Sequence, residues 1–271
     1  MENINPKNKL LLAFYQKIKW NYKKSMVKKY TIETPKTKVK EVGKETKTIK
    51  FIKTTIKNVT RDSSRKWLQR HVNDVYVHMA QADGYYSRAA YKIIETQDKY
   101  NLLKNVNAVL DLGCLPGSWM QVFLKQKIKP YKIYGVDINP DEKRISEVLG
   151  INFIQGDIKK PETTLALQEI LDKNQHKVNL ITSDIASNLC GSSSVDRLAN
   201  VGIFEAILPI INNFLEPQGN FVFKAIAGSF NEIIQNYPLK DMFEKVHYFK
   251  PKSSRKQSSE MYIVCLGFKK L

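Results

Sequence analysis

Between residues 108 and 226, short β-rich runs alternate with stretches of helical pattern, and that alternation leaves few folds open. The runs are Ala108 to Gly113, Lys132 to Ile138, Ile151 to Gln155, Val178 to Asp184 and Gly219 to Ile226. Each is short and largely apolar, and each is separated from the next by enough chain for a helical crossover, which is the pattern of a parallel sheet. The clearest helix spans Val195 to Phe214, with Leu198, Ile203, Ala206, Ile207, Ile210 and Ile211 as its apolar set. The rhythm predicts a doubly wound α/β domain. It fails at the end of the chain, where Val246 to Phe249 and Met261 to Phe268 are strand-like with no helical pattern between them. An antiparallel terminal hairpin is expected there.

Ahead of the sheet, Trp67, Leu68, Val72, Val75 and Tyr76 fall near one helical face, predicting a helix from Ser64 to about Gln81 that Gly84 breaks. A second helix, with Ser87 as its N-cap, runs to Leu103 and carries Lys92. Residues 1 to 60 differ in kind: 16 lysines against 4 glutamates give this segment +12 of the chain's +18, with no sustained periodicity beyond Leu10 to Trp20. The expectation is a basic, mostly disordered extension on a domain spanning residues 61 to 271. So positive a field attracts a polyanion, either nucleic acid or an anionic membrane surface. No apolar run approaches the ~20 residues that cross a bilayer, so the chain reads as soluble, without a membrane partner, and as a monomer. Cys114, Cys190 and Cys265 are too dispersed for a disulfide framework or a zinc site. A reducing compartment, the cytoplasm, fits them. An organelle is the alternative, although a presequence would favour Arg and Ser over Lys and avoid Glu. No metal is expected.

The chemistry concentrates at the strand ends, where α/β sheets bind ligands. Asp111-Leu-Gly-Cys-Leu-Pro-Gly-Ser-Trp119 follows the first strand and opens a helix, with Gly113 and Gly117 free of side chains that would keep a ligand at a distance. The glycines are four apart and Pro116 lacks a backbone donor, which argues against the dinucleotide pattern and a nicotinamide cofactor. A plain structural turn reads equally well. Asp137 ends the second strand, where a carboxylate accepts the hydroxyls of a nucleoside ribose; Asp157 ends the third, within reach of an adenine amine; Asp184 ends the fourth. Any one of them alone could cap a loop. Together with Asp111, four carboxylates at one sheet edge repel one another unless a cation or donors satisfy them, and a sulfonium with amine and hydroxyl donors would do so. Lys224 interrupts the apolar strand Phe221-Val-Phe-Lys-Ala-Ile226. By itself it reads as a lysine snorkelling to water.

Lys92 in Ser-Arg-Ala-Ala-Tyr-Lys, Asp184 in Ser-Asp-Ile-Ala-Ser, Lys224 in Phe-Val-Phe-Lys and Glu260 in Ser-Ser-Glu-Met-Tyr-Ile-Val together resemble the FtsJ/RrmJ family of ribosomal RNA ribose 2'-O-methyltransferases. The resemblance covers roughly Ser64 to Lys269 and looks closest to the bacterial large-subunit branch. It implies a Rossmann-like class I methyltransferase sheet, mostly parallel with an antiparallel C-terminal strand, and S-adenosyl-L-methionine as cofactor. It further implies 2'-O-methylation of a ribose, a uridine's, in large-subunit ribosomal RNA, with the RNA or the large subunit as partner. Lys92, Asp184, Lys224 and Glu260 would be the catalytic tetrad, and Gly113, Gly117, Trp119, Asp137, Asp157 and Asp184 would hold the cofactor. The chain departs from the family at Cys114-Leu115, usually two alanines, and at Ser118, frequently glycine; bulkier side chains there are expected to point into the sheet and helix.

In-line methyl transfer to oxygen requires hydroxyl and methyl to be aligned and the hydroxyl to lose its proton. Lys224 is the candidate base, with Lys92 as a neighbouring cation and Asp184 and Glu260 orienting the two amines. Alternatively, Lys224 only positions the hydroxyl, and the proton leaves after the methyl arrives. Arg65, Lys66, Arg70, Arg88, Lys250, Lys252, Arg255 and Lys256 are candidates for tracking RNA phosphates, with Tyr85 and Tyr86 as base-stacking partners. A transfer RNA or messenger-cap substrate, and a non-catalytic assembly factor, are the rival readings.

Overall fold

The computed structural model describes residues 32–33, 38–40, 49–51, 55–56 and 69–269, apart from 175–176, 186–191, 227 and 256. The chain divides into two units, Met1–Arg88 and Ala89–Leu271.

In the first unit, Ile32–Glu33 pairs antiparallel with Thr55–Ile56, and Lys38–Lys40 with Ile49–Phe51. The rest of the segment expected to be irregular lies outside the described residues, as do Ser64 to Leu68 at the start of the predicted helix. That helix is not continuous. Residues 69–72 are helical, and a new helix, α1 (Val75–Asp83), begins after Asp74, whose carboxylate accepts from the Tyr76 amide at 3.1 Å. A short acidic side chain that bonds the next free amides ends one helix and starts another, and periodicity does not register it. Gly84, in the left-handed region, closes α1 as expected.

The second unit opens with α2 (Ala90–Tyr100). Its N-cap is Ala89, with no side-chain bond, not Ser87; it ends at Asn101, which takes the left-handed conformation that asparagine tolerates, two residues before the expected Leu103. The sheet strands follow: β1 (Val109–Leu112), β2 (Ile133–Asp137), β3 (Asn152–Gln155), β4 (Val178–Ser183), β5 (Leu215–Ala225), β6 (Phe243–Phe249) and β7 (Met261–Phe268). Between them lie α3 (Ser118–Lys125), α4 (Ile145–Leu149), α5 (Pro161–Lys173), α6 (Ser193–Phe214), α7 (Ser229–Asn236) and α8 (Leu239–Met242). The order across the sheet is β6-β7-β5-β4-β1-β2-β3. The pairs among β1 to β5 are parallel, and only β7 runs against its neighbours. The chain therefore has the doubly wound, mostly parallel sheet with one antiparallel C-terminal strand. β5 starts at Leu215, earlier than Gly219, through a register irregularity beside which Gln218 takes a positive φ.

The core explains the pattern. Phe221 and Phe223 on β5, Phe243 on β6 and Phe204 on α6 pack as neighbouring rings, with Ile203, Ile207, Ile210 and Ile211 buried around them. Leu198, expected in that apolar set, is instead 57% exposed. It lies in the second turn of α6. Among the described residues no helix is long and apolar enough to cross a membrane.

Candidate active site

Four elements bring Lys92, Asp184, Lys224 and Glu260 together. Lys92 lies in the first turn of α2, Asp184 follows the last residue of β4, and Lys224 is the penultimate residue of β5. Glu260 directly precedes β7. Because β7 is antiparallel, its beginning lies at the carboxyl edge of the parallel strands, with Tyr262 opposite Lys224. A parallel last strand would have carried Glu260 to the far edge.

Asp184 is the hub. Its two carboxylate oxygens each lie 3.4 Å from Lys92 Nζ, and Oδ1 lies 3.0 Å from Lys224 Nζ and 2.5 Å from the Tyr262 hydroxyl, which donates to it. Lys224 Nζ also donates to the Asp184 main-chain carbonyl at 2.6 Å. Lys92 Nζ reaches both oxygens of Glu260 at 3.3 Å. Two ammonium groups and two carboxylates offset one another in a largely buried cluster, the condition under which buried charge is tolerated. Burial works against ionisation of Asp184, but Lys92, Lys224 and the Tyr262 hydroxyl outweigh it and hold the carboxyl below the ordinary range. The same contact acts in reverse on Tyr262: burial, the charges of Asp184 and Glu260 and the bond to Asp184 push its phenol well up. Lys224 is only 6% exposed, so the snorkelling expected of an isolated strand lysine does not occur. Two of its N–H groups are spent on Asp184, which leaves one position, an N–H in the ammonium and a lone pair in the neutral amine.

The loop after β1 adjoins this cluster. Gly113 has φ +74°, and a Cβ there would lie 2.5 Å from Ile185 Cγ1, one residue past Asp184. Glycine is thus required by both conformation and space. Gly117, also left-handed, caps α3. Cys114 and Ser118 are buried, and Cys114 lies against Gly135 of β2, whose missing side chain makes the room. Of the departures from the family pattern, Cys114 and Ser118 are therefore packed inside, whereas Leu115 is only half-buried. Trp119 is buried, donates its indole N–H to the Ala89 carbonyl at 2.8 Å, and packs 6.0 Å from the Tyr262 ring.

Asp137, the last residue of β2, accepts from the Leu115 amide at Oδ2 and from both the amide and side-chain nitrogen of Asn139 at Oδ1. Among the described residues Oδ1 thus accepts two bonds and Oδ2 one. Asp157 lies two residues beyond the end of β3, not at it, and accepts from the Lys159 amide. Asp111 is within β1, where Thr182 Oγ1 donates to it at 2.7 Å. Burial first, and then the charges of Asp184 and Asp137, push its carboxyl up to about 8 despite that bond. The crowding thus joins Asp111 to Asp184 and Asp137, and it adds to burial in raising the Asp111 carboxyl.

Two site residues escaped sequence reasoning. Tyr262 stands in an apolar strand run, where only its hydroxyl could have signalled a buried partner. Asn200 on α6 is buried and donates to the Lys224 carbonyl at 3.3 Å; its Oδ1 accepts from the Ile226 amide and from Ser229 Oγ. It braces the backbone on both sides of Ala225. Its signal was a polar residue, one turn after Asp196, on the buried side of a long helix.

The basic residues have separate fates. Arg65, Lys66 and Lys256 lie outside the described residues. In the first unit, Arg70 is exposed, Arg88 forms an ion pair with Asp74 and stacks over Tyr76, and Tyr85 and Tyr86 are half-buried. In the second, Lys252 is exposed and Arg255 half-buried, whereas Lys250 Nζ is bonded to the Ser258 carbonyl at 2.8 Å.

Residues 85–268 match the family model described as FtsJ-like methyltransferase. A protein of Methylobacillus flagellatus named ribosomal RNA large subunit methyltransferase E is 41% identical over 211 residues, 78% of this chain and 97% of its own. A protein of the same name from the Wolbachia of Brugia malayi is 41% identical over 219 residues, covering 80% and 95%. Among solved structures, one described as a ribosomal RNA methyltransferase from Plasmodium falciparum superposes with a TM-score of 0.56 at 35% identity, covering 68% of this chain and 98% of that one.

Proposed function

The chain belongs to the FtsJ-like methyltransferase family, and from that premise we propose that it transfers the methyl of S-adenosylmethionine to a ribose 2'-hydroxyl, a uridine's, in large-subunit ribosomal RNA. The observation that carries this reading is the charge-balanced cluster of Lys92, Asp184, Lys224 and Glu260 at the carboxyl edge of the sheet, beside the glycine-bearing loop. A hydroxyl needs a positioned proton acceptor, which base nitrogens with a free lone pair do not.

The donor set suits the cofactor. Asp137 at the end of β2, Asp157 two residues past β3 and Asp184 just past β4 offer carboxylates to a ligand that carries an amine, hydroxyls and a positive sulfur, and Ile138, 62% exposed beside Asp137, offers an apolar surface for a purine. When bound, the cofactor supplies the methyl as a sulfonium electrophile. Once its third ammonium proton has passed to solvent, Lys224 keeps two N–H groups on Asp184 and turns its lone pair to the ribose hydroxyl, orients it and takes its proton; Asp184 fixes Lys224 through carbonyl and carboxylate; Lys92 and Glu260 hold Asp184 in place. The names of the relatives support ribosomal RNA as the substrate, and the +12 of residues 1 to 60 supports binding to RNA backbone by that extension.

The test is incubation with methyl-labelled cofactor and, in parallel, bare large-subunit ribosomal RNA, large subunits lacking the modification, transfer RNA and capped messenger RNA, followed by nuclease digestion and mass spectrometry. Label on a uridine ribose of the large-subunit RNA is expected. Label on a base sinks the 2'-hydroxyl assignment, and label confined to transfer RNA or cap sinks the substrate.

A further inference from the structure

The β6–β7 connection, residues 250–260, carries the exposed Lys252 at one end and Glu260 of the buried cluster at the other. A connection of this length, rich in Ser and Lys, would ordinarily be loosely held. Here it is held at both ends by one helix. Lys92 on α2 binds Glu260, and one turn further along α2 the carboxylate of Glu95 accepts from two consecutive loop amides, Lys252 N at 2.5 Å and Ser253 N at 2.9 Å, one to each oxygen. Residues three apart share a helix face, so the two contacts come from a single surface of α2. The loop is also tied to itself. Ser254 N donates to the Pro251 carbonyl, Ser258 N to the Arg255 carbonyl, and Lys250 Nζ to the Ser258 carbonyl. Pro251, Ser253 and Ser254 are buried, so among residues 251–254 the Lys252 side chain is the one turned to solvent.

We propose that Glu95 is a positioning residue for RNA: by clamping the Lys252 and Ser253 amides it fixes the backbone from which Lys252 projects, and so sets a phosphate-binding point at a constant distance from the buried cluster. This rests on the RNA-methyltransferase reading above. The chemistry explains why a carboxylate is needed. Both of its oxygens accept, and two adjacent N–H donors require two acceptors. Glutamine offers one acceptor and sets an NH₂ against the second amide, while aspartate is one methylene short. A lysine on a fixed backbone meets a phosphate without first losing backbone entropy, so the benefit appears in substrate binding rather than in the chemical step.

The experiment measures KM for large-subunit RNA and single-turnover rate at saturating RNA, across a salt series, for the full-length protein and for Glu95→Gln, Glu95→Asp, Lys252→Ala and Glu95→Gln/Lys252→Ala. Amide hydrogen exchange of the loop and thermal melting are read on the same samples. Both Glu95 variants and Lys252→Ala should raise KM roughly tenfold and flatten the salt slope by about one unit, with the saturated rate retained and no further loss in the double variant. The Lys252 and Ser253 amides should be protected in the wild type and exposed in the Glu95 variants. Unchanged KM in Glu95→Gln overturns the proposal, and so does a lower saturated rate with KM unchanged, which would place Glu95 in service of Glu260. If both Glu95 variants melt, fast exchange of these two amides in the wild type, or an unchanged KM in Lys252→Ala, overturns it still. A wild type with no activity on RNA but protected amides would instead defeat the functional reading while leaving the clamp in place.

Discussion

Among the described residues Lys224 is held by Asp184 through two different oxygens, and its third position is left for substrate. Replacing it separates charge from chemistry. Lys224→Ala removes both, and Lys224→Arg keeps a charge that effectively never deprotonates on a planar fork that cannot put one nitrogen where the amine stood. Both variants should lose methyl transfer by at least about 10²-fold with cofactor affinity nearly unchanged, measured by single-turnover rates at saturating cofactor and RNA. Near-normal turnover by the arginine variant would show that Lys224 only attracts phosphate. Asp111 makes a second prediction at this scale. Its carboxyl is raised to about 8 by burial above all. A raised acid keeps its proton in the folded chain while the unfolded chain gives it up, so stability is full below the ordinary carboxylate range and falls as pH rises towards 8, by at most ~1.4 kcal/mol per pH unit. Asp111→Asn should abolish this decline while keeping an acceptor for Thr182, so the two proteins should differ more in chemical denaturation at pH 8 than at pH 5. Parallel stability curves for the two across that range would refute the assignment.

Among the elements, the antiparallel course of β7 and the brace from α6 decide whether the site exists. β7 delivers Glu260 and Tyr262 to the carboxyl edge, and Asn200 locks the end of β5 through the Lys224 carbonyl, the Ile226 amide and Ser229 Oγ. Asn200→Ala would leave buried groups without partners, at a cost of about 1–3 kcal/mol, and would free the strand end that carries Lys224. The expectation is a lower denaturation midpoint together with a reduced saturated rate; a midpoint shift with the rate intact would make Asn200 purely structural. Periodicity revealed α6 but not this role, since a buried asparagine is recognisable only once its three partners are known.

For the whole molecule, charge is unevenly placed. Removing residues 1 to 60 takes the net charge from +18 to +6, so the truncated protein should bind RNA more weakly, with a flatter dependence on salt, and should still bind cofactor. Isothermal titration at several salt concentrations checks both, and a truncated chain that fails to fold would show the segment to be part of the fold.

The five parallel strands, the last antiparallel one and the four charged residues that meet at the carboxyl edge were all legible in the amino-acid order, because alternation of apolar runs and short local motifs are properties of neighbours along the chain. What needed the tertiary structure was every relation between distant residues. The pairing of Lys92 with Asp184 and Glu260 joins positions 92 and 168 residues apart. The placement of β7 between β5 and β6, the raised carboxyl of Asp111, the three bonds accepted by Asp137 and the grip of Glu95 on the β6–β7 loop depend likewise on which groups packing brings within about 3 Å and shields from water. Hydrogen bonds and charges act over those few ångströms in space, whereas a sequence pattern records only separations along the backbone.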